Sequence, residues 1–440
     1  MKLKLRCGLW LIAPTLALAG LMTACQGSAQ APKQPAQVAQ AAPAAAPPDA
    51  AVDPRLSDAA FATWLEGARL DAAKRGITAP TISQALGNTL TLDHRIIEAD
   101  GRQPEFSNTF TRYLNSLASE RRIANGRAMM EKHAELLARL EREYGVPGRF
   151  LVAFWGMESD FGRDAGGYSV VQSLATLAFE GRRGDMFRNE LFSALTILDR
   201  GHITLDKMKG SYAGAMGQTQ FMPSNFLKYA VDEDKDGRID IWGSVPDALG
   251  SSANFISKAL GWNSERTWGR EVRLPKNFDL KLVSLDVDAK ETMKSLSEWS
   301  ALGVTRVDGQ PLPAQDIPAS VVLPAGRNGP ALLLYDNYRV ILKYNRSAFY
   351  AISIGHLADR LIGAGGLSNP GSEGDPLRRE AVVGLQEGLV TLGFLKTADG
   401  VMGSGTRQAI RAFQLANGLV PDGYPSRLLI GAVHAKASGT

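Results

Sequence analysis

Phe150-Leu-Val-Ala-Phe-Trp-Gly-Met-Glu-Ser-Asp-Phe-Gly162 is the stretch around which the 440-residue chain is read. Leu151, Phe154, Trp155 and Glu158 fall at i, i+3, i+4 and i+7, the spacing of one helix face. Three large apolar side chains on that face predict a buried helix. The carboxylate that closes the stripe is then at least partly desolvated, an environment that raises a carboxyl pKa and suits a general acid. Gly162 is expected to end the helix, which puts Glu158 in its last turn. The same pattern also fits a buried glutamate held by a basic partner for structural reasons.

Upstream, Gly145-Val-Pro-Gly148 breaks the chain. Before that break, from Leu56 to about Tyr144, apolar residues recur at helical spacing, as in Met130, His133, Leu136, Leu137, Leu140 and Tyr144. Helical spacing resumes over Val170–Leu198, followed by a Gly-rich stretch from Lys209 to Pro223. Between Leu274 and Tyr350 the texture turns toward β, with strand-like runs at Ser320–Pro324 and Ala331–Tyr344 around an Arg-Asn-Gly turn at 327–329. Helix returns over Ala351–Leu361. Past the Gly, Ser, Asn and Pro segment 363–375, a unit of about sixty residues, 376–436, places two Asp-Gly turns between three short helical patterns. A unit that small has a marginal core of its own.

The first residues read as an export signal. Lys2, Lys4 and Arg6 precede an apolar run, Leu9–Met22, that is short for a membrane span. The run closes Leu21-Met-Thr-Ala-Cys25, similar to the lipobox of bacterial lipoproteins with Met22 where Leu is usual. The expectation is a signal over 1–24 and lipidation of Cys25, with Gln26 beside it pointing to the outer membrane. Cleavage near Ala17–Ala19 and a soluble periplasmic protein is the alternative. Residues 25–54 are rich in Ala, Pro and Gln and read as a tether. Loss of 1–24 lowers the formal charge from +4 to +1, leaving no basic surplus to argue for nucleic acid. Cys7 and Cys25 are the only cysteines, so the folded body has no disulfide to rely on.

Several blocks share a resemblance. Arg102-Gln-Pro-Glu-Phe106, Trp155-Gly-Met-Glu-Ser-Asp-Phe-Gly162, Gly210-Ser-Tyr-Ala-Gly-Ala-Met-Gly217, Gln220-Phe-Met-Pro223 and Lys343-Tyr-Asn-Arg-Ser347 stand in the order of the membrane-bound lytic murein transglycosylase B family. The likeness runs from about Ala59 to Leu361. The tail, with Leu385-Gln386, Asp399-Gly400, Phe413-Gln414 and Asp422-Gly423, resembles a three-helix peptidoglycan-binding module.

The resemblance implies a mainly α (α+β) protein, with a lysozyme-like core over 55–362 and a small β-rich subdomain. It implies non-hydrolytic cleavage of the β-1,4 bond between N-acetylmuramic acid and N-acetylglucosamine, leaving 1,6-anhydromuramoyl ends. Glu158 is then the single acid and base, and no cofactor takes part in the chemistry. One carboxyl suffices because the sugar's own C6 hydroxyl replaces the water that a hydrolase must activate. Asp160 and Asp164 are the nearest candidates for a second carboxyl, and solvated loop acids are the plainer reading of both. Ser211, Gln220, Tyr344 and Asn345 match polar or cleft positions of the family. Tyr212, Tyr338 and Trp242 are candidates to stack on sugar faces, set against ordinary core packing. Gly214 and Gly217 either admit a ligand to the backbone or supply positive φ. The partners implied are glycan strands and, through Cys25, outer-membrane lipid. Two rivals stay open at this point: a water-using muramidase, and a non-catalytic wall-binding protein.

Asp232-Glu-Asp-Lys-Asp-Gly-Arg-Ile-Asp240 places oxygen ligands at positions 1, 3, 5 and 9 of an EF-hand loop, with Gly237 at the sharp turn. Position 12 is Gly243, so Asp247 is the candidate for the late carboxylate. The predicted set is Asp232, Asp234, Asp236, the Arg238 carbonyl and Asp247, holding a structural calcium (or sodium). An acidic solvated turn is the alternative.

Overall fold

The computed structural model describes residues 55–101, 108–372, 374 and 376–439. The signal, Cys25, the tether and the Arg102–Phe106 block lie outside the described residues. Among the described residues, no helix is long and apolar enough to cross a membrane.

Among the described residues, six helices precede the Glu158 helix, from Asp58–Lys74 to Ala134–Tyr144. Gly145 closes the last of them in the left-handed region, and Pro147 stands before the next, as the chain break predicts. The Glu158 helix spans Gly148–Ser159, and Phe150 to Gly156 are all buried. Around it pack the helices Glu120–Lys132, Ala134–Tyr144 and Ala348–Leu361, with Phe110–Leu117 against the last of these, and all share one apolar cluster. A second cluster forms where Val170–Glu180 and Gly184–Asp199 pack on each other and on the first helix.

Gly162 is not the residue that stops the Glu158 helix. Asp160, at φ 49°, is its cap, and Phe161 continues in the left-handed region at φ 64°. Phe161 N–H donates back to the Trp155 carbonyl at 3.2 Å, closing the last turn in the manner of a Schellman end. The Phe161 ring folds against Gly156, where a Cβ would meet it at 2.7 Å. At Gly162 a Cβ would lie 2.5 Å from Gln218 Oε1, so this glycine admits a side chain of the Gly-rich loop to the helix end.

The β-rich part is a five-stranded antiparallel sheet in the order Lys294–Ser295, Pro318–Val322, Ala331–Leu334, Gly269–Arg273, Thr305–Arg306. Its own core includes Trp299, Val321 and Leu333. The run expected as strand over Ala331–Tyr344 is divided. Only Ala331–Leu334 pairs, and Asp336–Tyr344 is a helix that buries Tyr338, Val340 and Ile341. Strand Gly269–Arg273 lies just before the region that was expected to be β.

Helices Arg379–Thr391, Ser404–Ala416 and Arg427–Ala437 make the C-terminal module around Leu385, Phe413 and Val433. Two buried glutamines organise its turns alike. Gln386 Nε2 donates to Asp399 at 2.8 Å and its Oε1 accepts from Gly400 N–H at 2.7 Å; Gln414 does the same for Asp422 and Gly423, at 2.9 Å each.

Candidate active site

Glu158 is half-buried in the last turn of its helix, directly after an apolar stripe whose Leu151, Phe154 and Trp155 are buried. Its Oε1 accepts a hydrogen bond from the Tyr350 hydroxyl. Tyr350 is 5% exposed and comes from the Ala348–Leu361 helix, which packs along the Glu158 helix. Burial pushes the Tyr350 phenol well up, and the neighbouring Glu158 charge adds to this. Tyr344 is pushed up by burial and by Glu158 in the same way. Both phenols therefore stay protonated, and Tyr350 is a fixed donor to the carboxylate.

Tyr344 lies with its ring centroid 4.6 Å from that of Phe154, and its hydroxyl donates to the Thr219 carbonyl. This bond ties the downstream block to the Gly-rich loop. The same loop reaches the helix end through Gln218: Trp155 Nε1 donates to Gln218 Oε1 at 2.9 Å, and Gln218 Nε2 donates to the Trp242 carbonyl at 3.1 Å. Ser159 Oγ donates to the Gln218 carbonyl at 2.6 Å and accepts from Gly162 N–H at 2.9 Å. The turn after Glu158 is thus held from both sides.

Gln220 has φ 52°, and its amide donates to the carbonyls of Ala165 and Gly217 at 2.9 and 3.0 Å. Ser211 Oγ accepts from the amides of Ala213 and Ala215 at 3.3 and 3.1 Å, so it shapes the loop. Gly214 and Gly217 have positive φ and face inward, on Leu174 and Ile241. Tyr212 is half-buried in this loop, and Asn345 is half-buried at the cap of the Asp336–Tyr344 helix.

Two expectations, for Tyr338 and Asp160, are corrected. Tyr338 is 1% exposed and donates to the Val287 carbonyl at 2.9 Å, which makes it core and no sugar platform. Trp242 packs on Phe226, with its indole N–H on the Lys209 carbonyl at 3.2 Å. Asp160 is not a solvated acid: it sits among Arg121, Arg122 and Arg163, at 3.5, 4.0 and 2.9 Å. Asp164 is exposed, as expected. Sequence reasoning missed Tyr350, Gln218 and Ser159. The last lay inside the quoted block, but nothing in spacing marks a tyrosine 192 residues away as the partner of Glu158.

In the acidic loop the structure brings together Asp232, Asp234 and Asp247, whose carboxylate oxygens lie within 4.8 Å of one another. Asp247 is fully buried and its carboxyl is pushed up by that burial, against hydrogen bonds from the amides of Asp240, Glu233 and Asp234. Asp236 Oδ1 accepts from Arg238 N–H at 2.8 Å, and the Arg238 guanidinium lies on Asp240 at 3.0 Å. Gly237 takes φ 91°, as the sharp turn requires. Three converging carboxylates, one of them buried, fit a hard divalent cation. A cavity of about 1000 Å³ lies beside this loop, between Lys132–Tyr144 and Val231–Lys235, away from Glu158.

A partly sheltered carboxyl held by a phenol, at a helix end clamped by a Gly-rich loop, is an arrangement suited to general acid–base chemistry on a lysozyme-like fold. Comparison with known proteins agrees. Residues 60–359 match the transglycosylase SLT domain and residues 378–432 a putative peptidoglycan binding domain. The chain belongs to the SLT transglycosylase family and is a peptidoglycan lytic transglycosylase with a C-terminal peptidoglycan-binding module. It is 30% identical over 298 residues to membrane-bound lytic murein transglycosylase B of Escherichia coli, covering 64% of this chain and 78% of that one. SltB3 from Pseudomonas aeruginosa, solved in complex with NAG-anhNAM-pentapeptide, is 42% identical with a TM-score of 0.80, over 85% of this chain and 99% of that one. The E. coli lytic transglycosylase Slt35 in complex with calcium is 28% identical with a TM-score of 0.57, over 69% and 92%.

Proposed function

We propose that Glu158 is the single general acid and base in cleavage of the β-1,4 bond between N-acetylmuramic acid and N-acetylglucosamine. The observation that carries this reading is the Tyr350–Glu158 hydrogen bond. With Oε1 held by a phenol, Oε2 is the oxygen that carries the proton to the leaving glycosidic oxygen. As the bond breaks, positive charge grows at the anomeric carbon, and Tyr350 stabilises the carboxylate that has just lost its proton. The carboxylate then takes the proton of the muramoyl C6 hydroxyl as that oxygen closes the 1,6-anhydro ring. Glu158 ends protonated again, so one group serves both steps.

Asp160 does not supply a second carboxylate in this scheme, because three arginines engage it. A hydrolase would need such a group to activate water. SltB3, a relative seen with an anhydro-sugar ligand, supports the same outcome. Mass spectrometry of a murein digest tests it: the expected muropeptides are one water lighter than hydrolysis products. Reducing ends alone would establish a muramidase, and no turnover a binding protein.

Tyr350→Phe is expected to lower kcat about 10- to 100-fold with little change in KM, since a hydrogen bond to a charged group contributes about 1.5–3 kcal/mol. An unaltered kcat would remove Tyr350 from the mechanism. Asp232, Asp234 and Asp247 would hold a calcium ion that ties the acidic loop together and takes no part in the reaction. At a hundred times its Kd, calcium is expected to stabilise the fold by about 2.7 kcal/mol. The calcium-dependent rise in Tm should vanish in Asp247→Asn; a Tm that ignores calcium in the parent protein rejects the site. Lipidation of Cys25 would place this enzyme on the periplasmic face of the outer membrane, against its polymer.

A further inference from the structure

The segment that joins catalytic domain and module has the composition of a flexible linker, yet it is strapped down. Ser368 N–H and Oγ donate to the Glu271 carboxylate at 2.8 and 2.7 Å. Asn369 Nδ2 donates to the Asn328 carbonyl at 2.9 Å, and Thr111 Oγ1 donates to the Pro370 carbonyl at 2.7 Å. The module beyond it also touches the β-rich subdomain. Arg411, on Ser404–Ala416, sends Nη2 to the Val283 carbonyl at 2.8 Å while its Nε holds the module's own Pro421 carbonyl at 3.1 Å. Asp422 Oδ2 accepts from Arg327 N–H at 3.0 Å. Gly423 and Gly326 complete the contact: a Cβ on the first would meet Leu285 at 2.8 Å, and on the second the Tyr424 ring at 2.8 Å. Residues 53–440 form one compact unit.

The two Asp-Gly turns of the module are therefore built alike but used differently. Asp399-Gly400 packs on the module's own Arg379 and Val383, whereas Asp422-Gly423 packs across onto Leu285. Burial pushes the Arg411 guanidinium down, and the nearby acids Glu291, Asp422 and Asp279 offset this, two of them from the catalytic domain. A cation half-buried between backbone carbonyls and acids of both domains is costly to leave unpaired. Its placement favours one docked arrangement over a swinging tether.

We propose that Arg411 and the Asp422-Gly423-Tyr424 turn form a latch that fixes the module relative to the Glu158 cleft, so that a glycan held by the module meets the acid in one register. The proposal rests on the reading of the module as a wall binder and adds where it must stand to do so.

Arg411→Glu and, on the other side of the contact, Leu285→Glu test it in the full chain. Each is expected to raise the rate of subtilisin nicking within 363–376 about tenfold, as a local opening made easier would, and to enlarge the particle in small-angle scattering. On intact sacculi the lengths of the anhydro-ended glycans released should broaden, while turnover of short soluble glycans and sacculus pull-down match the parent protein. Unchanged nicking in both variants, or a freed module with an unchanged length distribution, overturns the latch. The wall-binding reading fails separately, if a chain lacking 375–440 binds sacculi as well as the full chain does.

Discussion

Glu158→Gln is expected to lower kcat by about 10³-fold, within the range that a positioned acid–base group contributes. The amide keeps the size and one acceptor oxygen for the Tyr350 hydroxyl, so the neighbouring packing of Phe154, Trp155 and Tyr344 has no reason to change. What the variant lacks is a proton to give and a base to take it back. Binding of a short glycan, measured by calorimetry, should stay near that of the parent protein, with the loss confined to kcat. Loss of binding together with turnover would mean that the substitution disturbs the cleft; full turnover would mean that another group is the acid.

Gly355→Ala should be among the most damaging single substitutions for stability, although it adds one methyl group. Gly355 lies in Ala348–Leu361, the helix that carries Tyr350, and its Cα faces the Trp268 indole. A Cβ there would stand 2.0 Å from Trp268 Cδ2, inside any real contact. Two effects of opposite sign compete. In an open helix, Ala in place of Gly gains about 1 kcal/mol. Here the indole must move, at an overpacking cost of about 1–3 kcal/mol. Moving it also breaks the bond from Trp268 Nε1 to Asp359 Oδ2, 2.9 Å long, whose carboxyl burial already pushes up. An unsatisfied buried charged acceptor adds about 1.5–3 kcal/mol. The net expectation is a loss of about 2–4 kcal/mol, read from urea unfolding at unchanged m-value. A loss under about 1 kcal/mol would show that Trp268 relaxes easily.

The Glu158 helix was legible because it pairs an apolar stripe with local stop signals. Gly145 and Pro147 bound the Glu158 helix on one side without any help from distant residues. Where an apolar run was short the period alone could not decide, and Ala331–Tyr344 was assigned strand throughout. The sheet pairs only its first four residues: Gly269 and Ser320 are the last ladder partners, opposite Leu334, and the helix begins at Asp336. The helix that follows buries its hydrophobic residues in another cluster. Residue type alone could not place Tyr338 either: an aromatic fits a sugar platform or a core, and on this helix it is buried with its hydroxyl on the Val287 carbonyl.

The chemistry divides along the same line. An acid at the end of an apolar stripe, the carboxylates of the 232–247 loop and the two Asp-Gly turns are visible from residue type and spacing, because local backbone geometry dictates where they project. The phenol on Glu158, the indole–amide pair of Trp155 and Gln218, Arg121 and Arg122 beside Asp160 and the docking of the module are contacts across 38 to 192 residues. Such contacts depend on how helices cross and which side chains then fit, and only tertiary packing specifies that.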